Sequence, residues 1–220
     1  MFKTFALTAA AAVAFAGPTW AVTLTFDEYE HGDVITEVSL GGGVTATVAA
    51  EGNSRNSPDE ATIFDTTLDN TEDPDLEGPF TADGVNFDFE AGRALIIQEN
   101  DGEPDDDGRG GWISFTFSQA VSFLGFDFLD DEFVTVSDNN GNSAVVGTGT
   151  GPAFDNYVTA SGLLGFSDVT ELTFDFGGNS GAIDNLEFEI AAVPVPASLP
   201  LMLAGLAGFG FASRRRKNAA

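Results

Sequence analysis

Carboxylates are the side chains best placed to do chemistry in this chain. Asp27 and Glu28 follow a short apolar stretch, Leu24-Thr25-Phe26, while Asp184 and Asn185 open the segment IDNLEFEI near the far end of the domain. Pairing of the first strand with the last would bring these residues together. Asp184 adjoins Ile183, whose side chain is expected to point inward, so the carboxylate sits at an apolar edge and needs a partner. The domain offers no lysine, and its arginines are Arg55, Arg93 and Arg109. A calcium ion is one partner for such a cluster, and a protein hydrogen-bond network is the other.

Two loops add further oxygen ligands: DTTLDNTEDPDLEGP, from Asp65 to Pro79, and QENDGEPDDDGRGG, from Gln98 to Gly111. Neither has the spacing of an EF-hand loop. Each could hold calcium through carboxylates and carbonyls, or stand as a solvated acidic loop.

Catalytic groups are harder to find. The chain has no cysteine and one histidine, His31, so thiolate chemistry, disulfides and multi-histidine metal centres are excluded. His31 could act as a base, but a solitary histidine after a strand is expected to be a solvated surface residue. No GxSxG, HExxH or P-loop pattern occurs. Carboxylate pairs suited to glycoside hydrolysis arise by chance among 35 acidic residues and therefore carry no information. The expectation is a protein without catalytic residues. Glycan binding would need aromatic platforms, and Trp112, Tyr29 and Tyr157 are the candidates. Trp112 lies on a strand facing away from Ile113, and the two tyrosines fall in predicted loops.

These residues must be held by strands. Ile113, Phe115 and Phe117 alternate with Ser114 and Thr116. Leu124, Phe126 and Phe128 alternate with Gly125 and Asp127, and the same period recurs at Leu172–Phe176 and Leu186–Ile190. Further strands are predicted at Val22–Phe26, Val44–Val48, Val85–Glu90, Ala94–Gln98, Phe133–Ser137 and Ala144–Gly147. Around ten short strands with frequent glycine and proline breaks predict one all-β domain, a β-sandwich or jelly roll over residues 22–192. Phenylalanine, present 21 times, is the expected core filler.

Charge is distributed unevenly. The domain holds all 35 acids and three of the eight basic residues; the other five lie at the ends. Such a field repels nucleic acid and attracts cations, and it also keeps an exported protein soluble. Residues 1–21, MFKTFALTAAAAVAFAGPTWA, combine Lys3, an apolar run and small residues, the three parts of a signal peptide. Cleavage is expected after Ala21, or else after Ala16. At the other end Val193–Ala212 carries no charge and is long enough to cross a bilayer, although Pro194, Pro196 and Pro200 weaken its start. Arg214, Arg215, Arg216 and Lys217 follow and fit a cytoplasmic stop.

The tail VPVPASLPLMLAGLAGFGFASRRRK resembles a PEP-CTERM sorting signal of the VPLPA-CTERM variant, through Val193, Pro194, Val195, Pro196 and Ala197, the glycine-rich apolar stretch and the arginine cluster. Val195 departs from the leucine of that variant. The resemblance implies that residues 193–220 pass through the inner membrane as a sorting helix. There an exosortase, a membrane protease, would cut near the proline motif and send the domain to the cell surface or outside, in bacteria that make exopolysaccharide and biofilm. The strings ATIFDTTLDNTEDPDLEGPF, ALIIQENDGEPDDDGRGGWISFTF and GAIDNLEFE also look like exported domains with such tails and are similar to calcium-containing, carbohydrate-binding jelly-roll modules. That second likeness implies Glu28 and Asp184 as structural calcium ligands, with Asp27 nearby. The expected role is a structural or adhesive surface or matrix protein. The alternative is a calcium-stabilised glycan-binding module acting on extracellular polysaccharide.

Overall fold

Alternating residues give the first half of the long central strand its one-sided burial. In the computed structural model Ile113, Phe115 and Phe117 are buried while Thr116 and Ser118 are exposed. The model describes residues 19–78, 80–82, 85–89, 91–129, 133–147 and 157–191. The expected sorting tail, with Val193–Ala197 and Arg214–Arg216, and the signal segment up to Pro18 lie outside these residues. Among the described residues no helix is long and apolar enough to cross a membrane.

The protein is all-β. Its strands are β1 (Thr19–Leu24), β2 (Glu37–Gly41), β3 (Val44–Gly52), β4 (Ala61–Asp65), β5 (Phe80–Ala82), β6 (Val85–Phe89), β7 (Arg93–Ile97), β8 (Gly111–Leu129), β9 (Val134–Asp138), β10 (Ser143–Val146), β11 (Tyr157–Thr159), β12 (Phe166–Asp175) and β13 (Ala182–Ala191). The segments around Ile113 and Phe126, expected as separate strands, are one element, β8. Its first half lies between β3 and β12, and its second half pairs with β13 and β11. From β13 the order continues through β7 to β4, and from β12 through β9 to β10. β1 pairs with β13, so the first and last strands do meet.

Phe115, Phe123, Phe126 and Phe174 form a cluster in which Phe174 meets the other three edge-on, with ring centroids 4.9–5.9 Å apart. Phe117 and Phe188 pack likewise at 5.4 Å. The main core gathers apolar residues from all parts of the sheet.

Alternation fails in the second half of β8. Leu124 was expected to share a dry face with Phe126 and Phe128, opposite a wet Asp127. Instead Leu124 is only partly buried, Gly125 is buried, and Phe126–Leu129 are all buried, Asp127 included. Leu124 leaves the dry face because β8 carries it as an extra residue between the pairs Glu187↔Gly125 and Phe188↔Phe123, and Asp127 is buried because a second core covers its face. β13 has a bulge of its own. Between the pairs Asp184↔Asp127 and Glu187↔Gly125, β13 has two residues facing one on β8, and Asn185 takes up a left-handed φ of 50°. The bulge lets both Ile183 and Leu186 reach the main core. It leaves Asp184 and Asp127 on the other face, with Ala182 and Leu129. A second, smaller core of Phe64, Leu76, Phe80, Ala91, Ala94, Ile96, Leu129 and Ala182 covers that face. Gly125 is required there, because a Cβ would run into the backbone of Ala160 and Ser161.

β1 also differs from expectation. It begins at Thr19, three residues before the predicted Val22, and Trp20 packs against the main core.

Candidate functional site

Asp184 is drawn inside by its neighbours on β13 and is 2% exposed. The backbone N–H groups of Asn185 and Phe26 donate to its carboxylate, but Oδ1 is buried with no partner. Burial first, then the charges of Asp27 and Asp127, push its carboxyl up to about 8 despite those two donors. Asp127 lies opposite it in the β8–β13 register and accepts a hydrogen bond from Asn185 Nδ2 at 2.8 Å. Asp27 is held at the end of β1, where Arg93 N donates to Oδ1 at 3.3 Å and Arg93 Nη1 donates to its carbonyl at 3.3 Å. Glu28, the other predicted ligand, is exposed and lines an open surface groove with Thr23, Thr25, Asp27 and Ser39. It is not among the charges that shift Asp184. The strand pairing therefore joins Asp184 to Asp27, as expected, and adds Asp127.

Sequence reasoning missed Asp127 because a polar residue alternating with phenylalanines reads as solvent-facing. The useful signal was the missing wet face: the apolar runs ATIF and ALII lie nearby with no alternation, as strands covered on both sides do.

The two acidic loops form a second carboxylate region. Asp106 N donates to Asp73 Oδ2 at 3.1 Å, and Gly181 N to Asp106 Oδ2 at 2.6 Å. Asp73 is buried, and burial, a hydrogen bond shared with Asp75 and the charge of Asp106 raise its carboxyl far above the usual range. Asp105 is raised as well, by burial first and then by Glu99. These loops are not merely solvated, since Asp73, Asp106 and Asp107 are all buried. Asp107 is the best satisfied of them. It accepts from Ser54 Oγ at 2.6 Å, Ser54 N at 2.8 Å and Arg109 N at 2.9 Å. Among the described residues no three His, Cys, Asp or Glu side chains are grouped so as to hold a metal on their own. Calcium, which takes six to eight oxygens, would need carbonyls and water beside the carboxylates. The unpartnered Oδ1 of Asp184 fits such an ion.

His31 is half-buried rather than solvated. Its Nδ1 accepts from Asp65 N at 3.0 Å, its ring meets Phe64 edge-on at 5.3 Å, and burial lowers its pKa. These contacts hold the chain against β4. Beside it Arg93 Nη2 pairs with Asp65 Oδ2 at 3.2 Å. Burial raises the Asp65 carboxyl, but hydrogen bonds from Thr67 and the charge of Arg93 outweigh it, for a net lowering.

The three aromatic candidates do not converge. Trp112 is half-buried near the start of β8, opposite Glu51 and Asp175. Tyr157 is on a strand, not in a loop, opposite Leu129 at the far end of β8. Burial and then a hydrogen bond to Asp127 push its phenol up to about 12. Tyr29 packs on the main core with its ring 6.5 Å from Phe26.

No curated protein matches the chain. Residues 192–217 match the PEP-CTERM protein-sorting motif, the mark of a protein exported across the membrane toward the cell surface and processed by an exosortase.

Proposed function

We propose that this chain is a structural or adhesive protein of the cell surface or extracellular matrix, without catalytic activity. Residues 1–21 direct export. Residues 193–220 then halt in the inner membrane, with Arg214–Lys217 on the cytoplasmic side. An exosortase cuts at or near Val193-Pro194-Val195-Pro196-Ala197, which we read as a VPLPA-type signal, and the domain at 22–192 goes to the surface or outside. The observation that carries this reading is the sorting motif directly behind an all-β unit with a signal-like leader. We read that unit as a β-sandwich of jelly-roll type, with β8 shared between two layers.

The test is fractionation of the bacterium with and without its exosortase. The expected result is a shortened extracellular form in the first case and an uncut, membrane-held form in the second. An identical full-length cytosolic product in both would overturn the reading.

A second reading, a calcium-stabilised carbohydrate-binding module, is favoured by Asp184 Oδ1, buried and unpartnered beside Asp27 and Asp127. Calcium there would neutralise like charges that Arg93, whose guanidinium is already paired with Asp65, offsets only in part. The ligand would be an extracellular polysaccharide.

A further inference from the structure

Among thirty-five acids the domain has three arginines, and two of them line one pocket. Arg55 and Arg109 meet across a cavity of about 650 Å³ whose other walls are Ser54, Asn56, Glu99 and Asn100. That volume is within the range of about 300–1,000 Å³ usual for small-ligand sites. Both arginines are exposed, and among the described residues neither guanidinium makes an ion pair or a hydrogen bond; the ion pair seen there belongs to Arg93 and Asp65. In so acidic a domain, two guanidiniums left open on one wall are cations held for an outside partner.

The pocket is also built in advance. Arg55 is in the turn after β3, and Arg109 is in the loop before β8. Asp107, 1% exposed, ties the two by accepting from Ser54 Oγ, Ser54 N and Arg109 N. Asn53 adds hydrogen bonds from Nδ2 to Arg109 O at 3.0 Å and to Gly177 O at 2.7 Å. The two guanidiniums are therefore carried on backbone whose spacing is fixed before any ligand arrives, which lowers the entropic cost of binding.

We propose that this pocket binds the carboxylate-bearing sugars of an acidic polysaccharide. A guanidinium and a carboxylate form paired, parallel hydrogen bonds, and Arg is suited to this geometry. The remaining wall is wholly polar. Asn56 and Asn100 can donate to and accept from ring hydroxyls, while Ser54, whose hydroxyl hydrogen goes to Asp107, and Glu99 only accept. An acidic peptide offers carboxylates to the arginines but no ring hydroxyls to the amides and hydroxyl of the remaining wall. Two carboxylates belong to the site, Glu99 in the wall and Asp107 beneath it, with Asp105 hydrogen-bonded to Glu99. They balance the local charge of the arginines, so attraction rests on direct contact rather than long-range field. At about 0.15 M salt the Debye length is about 8 Å, which screens the rest of the acidic surface but not contacts inside the pocket. This site borrows from the proposed function only its location outside the cell, and it needs no calcium.

The experiment is calorimetric titration of the full chain, held in mild detergent with a chelator present, using a galacturonate hexamer. The same hexamer with its carboxyls reduced to alcohols and a glutamate hexapeptide serve as comparisons. The galacturonate hexamer should bind at least about tenfold more tightly than either. Arg55→Gln and Arg109→Gln should each weaken it about fivefold or more, and the double variant should abolish binding with an unchanged melting temperature, because both side chains are exposed. Three results would overturn the proposal: no galacturonate binding at millimolar ligand, equal binding of the reduced hexamer or the peptide, or full binding by the double variant. Export is measured separately by fractionation, so either claim can fail without the other.

Discussion

Asp107 and Asp184 are both buried carboxylates, 1% and 2% exposed, and their surroundings could hardly differ more. Asp107 joins two loops by accepting from three donors, one of them a hydroxyl. Asp184 receives two backbone N–H groups, keeps one oxygen unpartnered, and faces two further carboxylates. Burial alone therefore does not mark a functional acid. A carboxylate whose oxygens are satisfied is part of the scaffold, and one that is buried, crowded by like charge and incompletely bonded is waiting for a proton or a cation.

Removing the satisfied acid should have the largest effect. Asp107→Ala should destabilise the protein by about 3 kcal/mol or more, because it strands the N–H groups of Ser54 and Arg109 and loses three charge-assisted bonds. Chemical denaturation of the purified chain measures it. A loss under about 1 kcal/mol would remove the contrast.

Calcium should act on the other acid. Saturating calcium should raise the melting temperature by several degrees over chelator, as binding to the folded state alone requires. Asp184→Asn should abolish that rise and leave the chelated protein as stable as the parent or more so, most clearly above about pH 8, where the parent carboxyl is charged. An equal calcium response in the variant would place the ion elsewhere.

The sign of the pH dependence sharpens the comparison. The folded Asp184 carboxyl is raised to about 8, from an ordinary 3.8. Between these values the folded chain holds a proton that the unfolded chain has released, so stability falls as pH rises. Asp73 pushes in the same direction. With divalent ions chelated, the melting temperature should therefore decline from about pH 4 to pH 8. The opposite slope would mean that Asp184 is charged and compensated by protein groups.

The smallest effects concern the aromatics near the chain's two predicted features. Trp20→Ala should cost about 1–2 kcal/mol through lost packing, which also makes cleavage after Ala16 the cut that preserves β1. Trp112→Ala, at a half-buried position, should change stability by about 1 kcal/mol or less.

What could be read from the chain follows from which faces meet water. The first half of β8, the latter part of β12 and the end of β13 each have one wet face, so their period-two pattern is visible in the sequence. β4, Ala61–Asp65, is buried at every position, shows no period and was missed, whereas β7, almost as buried, was found from its run of aliphatic residues. β2, Glu37–Gly41, does alternate but has only Val38 and Leu40 to show it, and it was missed too. β11 is three residues long and carries no pattern at all. The meeting of Asp27 with Asp184 was legible because pairing the first and last strands is a topological expectation. Asp127 was not, because it depends on cross-strand register and on the second core that covers its face, neither of which is written locally. The convergence of Arg55 and Arg109 was hidden in the same way, behind a contact between loops far apart in sequence.

Intact mass spectrometry of the protein recovered from outside the cell tests the export claim most directly. A chain beginning after Ala16 or Ala21 and ending at the Val193–Ala197 motif is the expected result. A polypeptide running unbroken from Met1 to Ala220, found only in the cytosol, would contradict it.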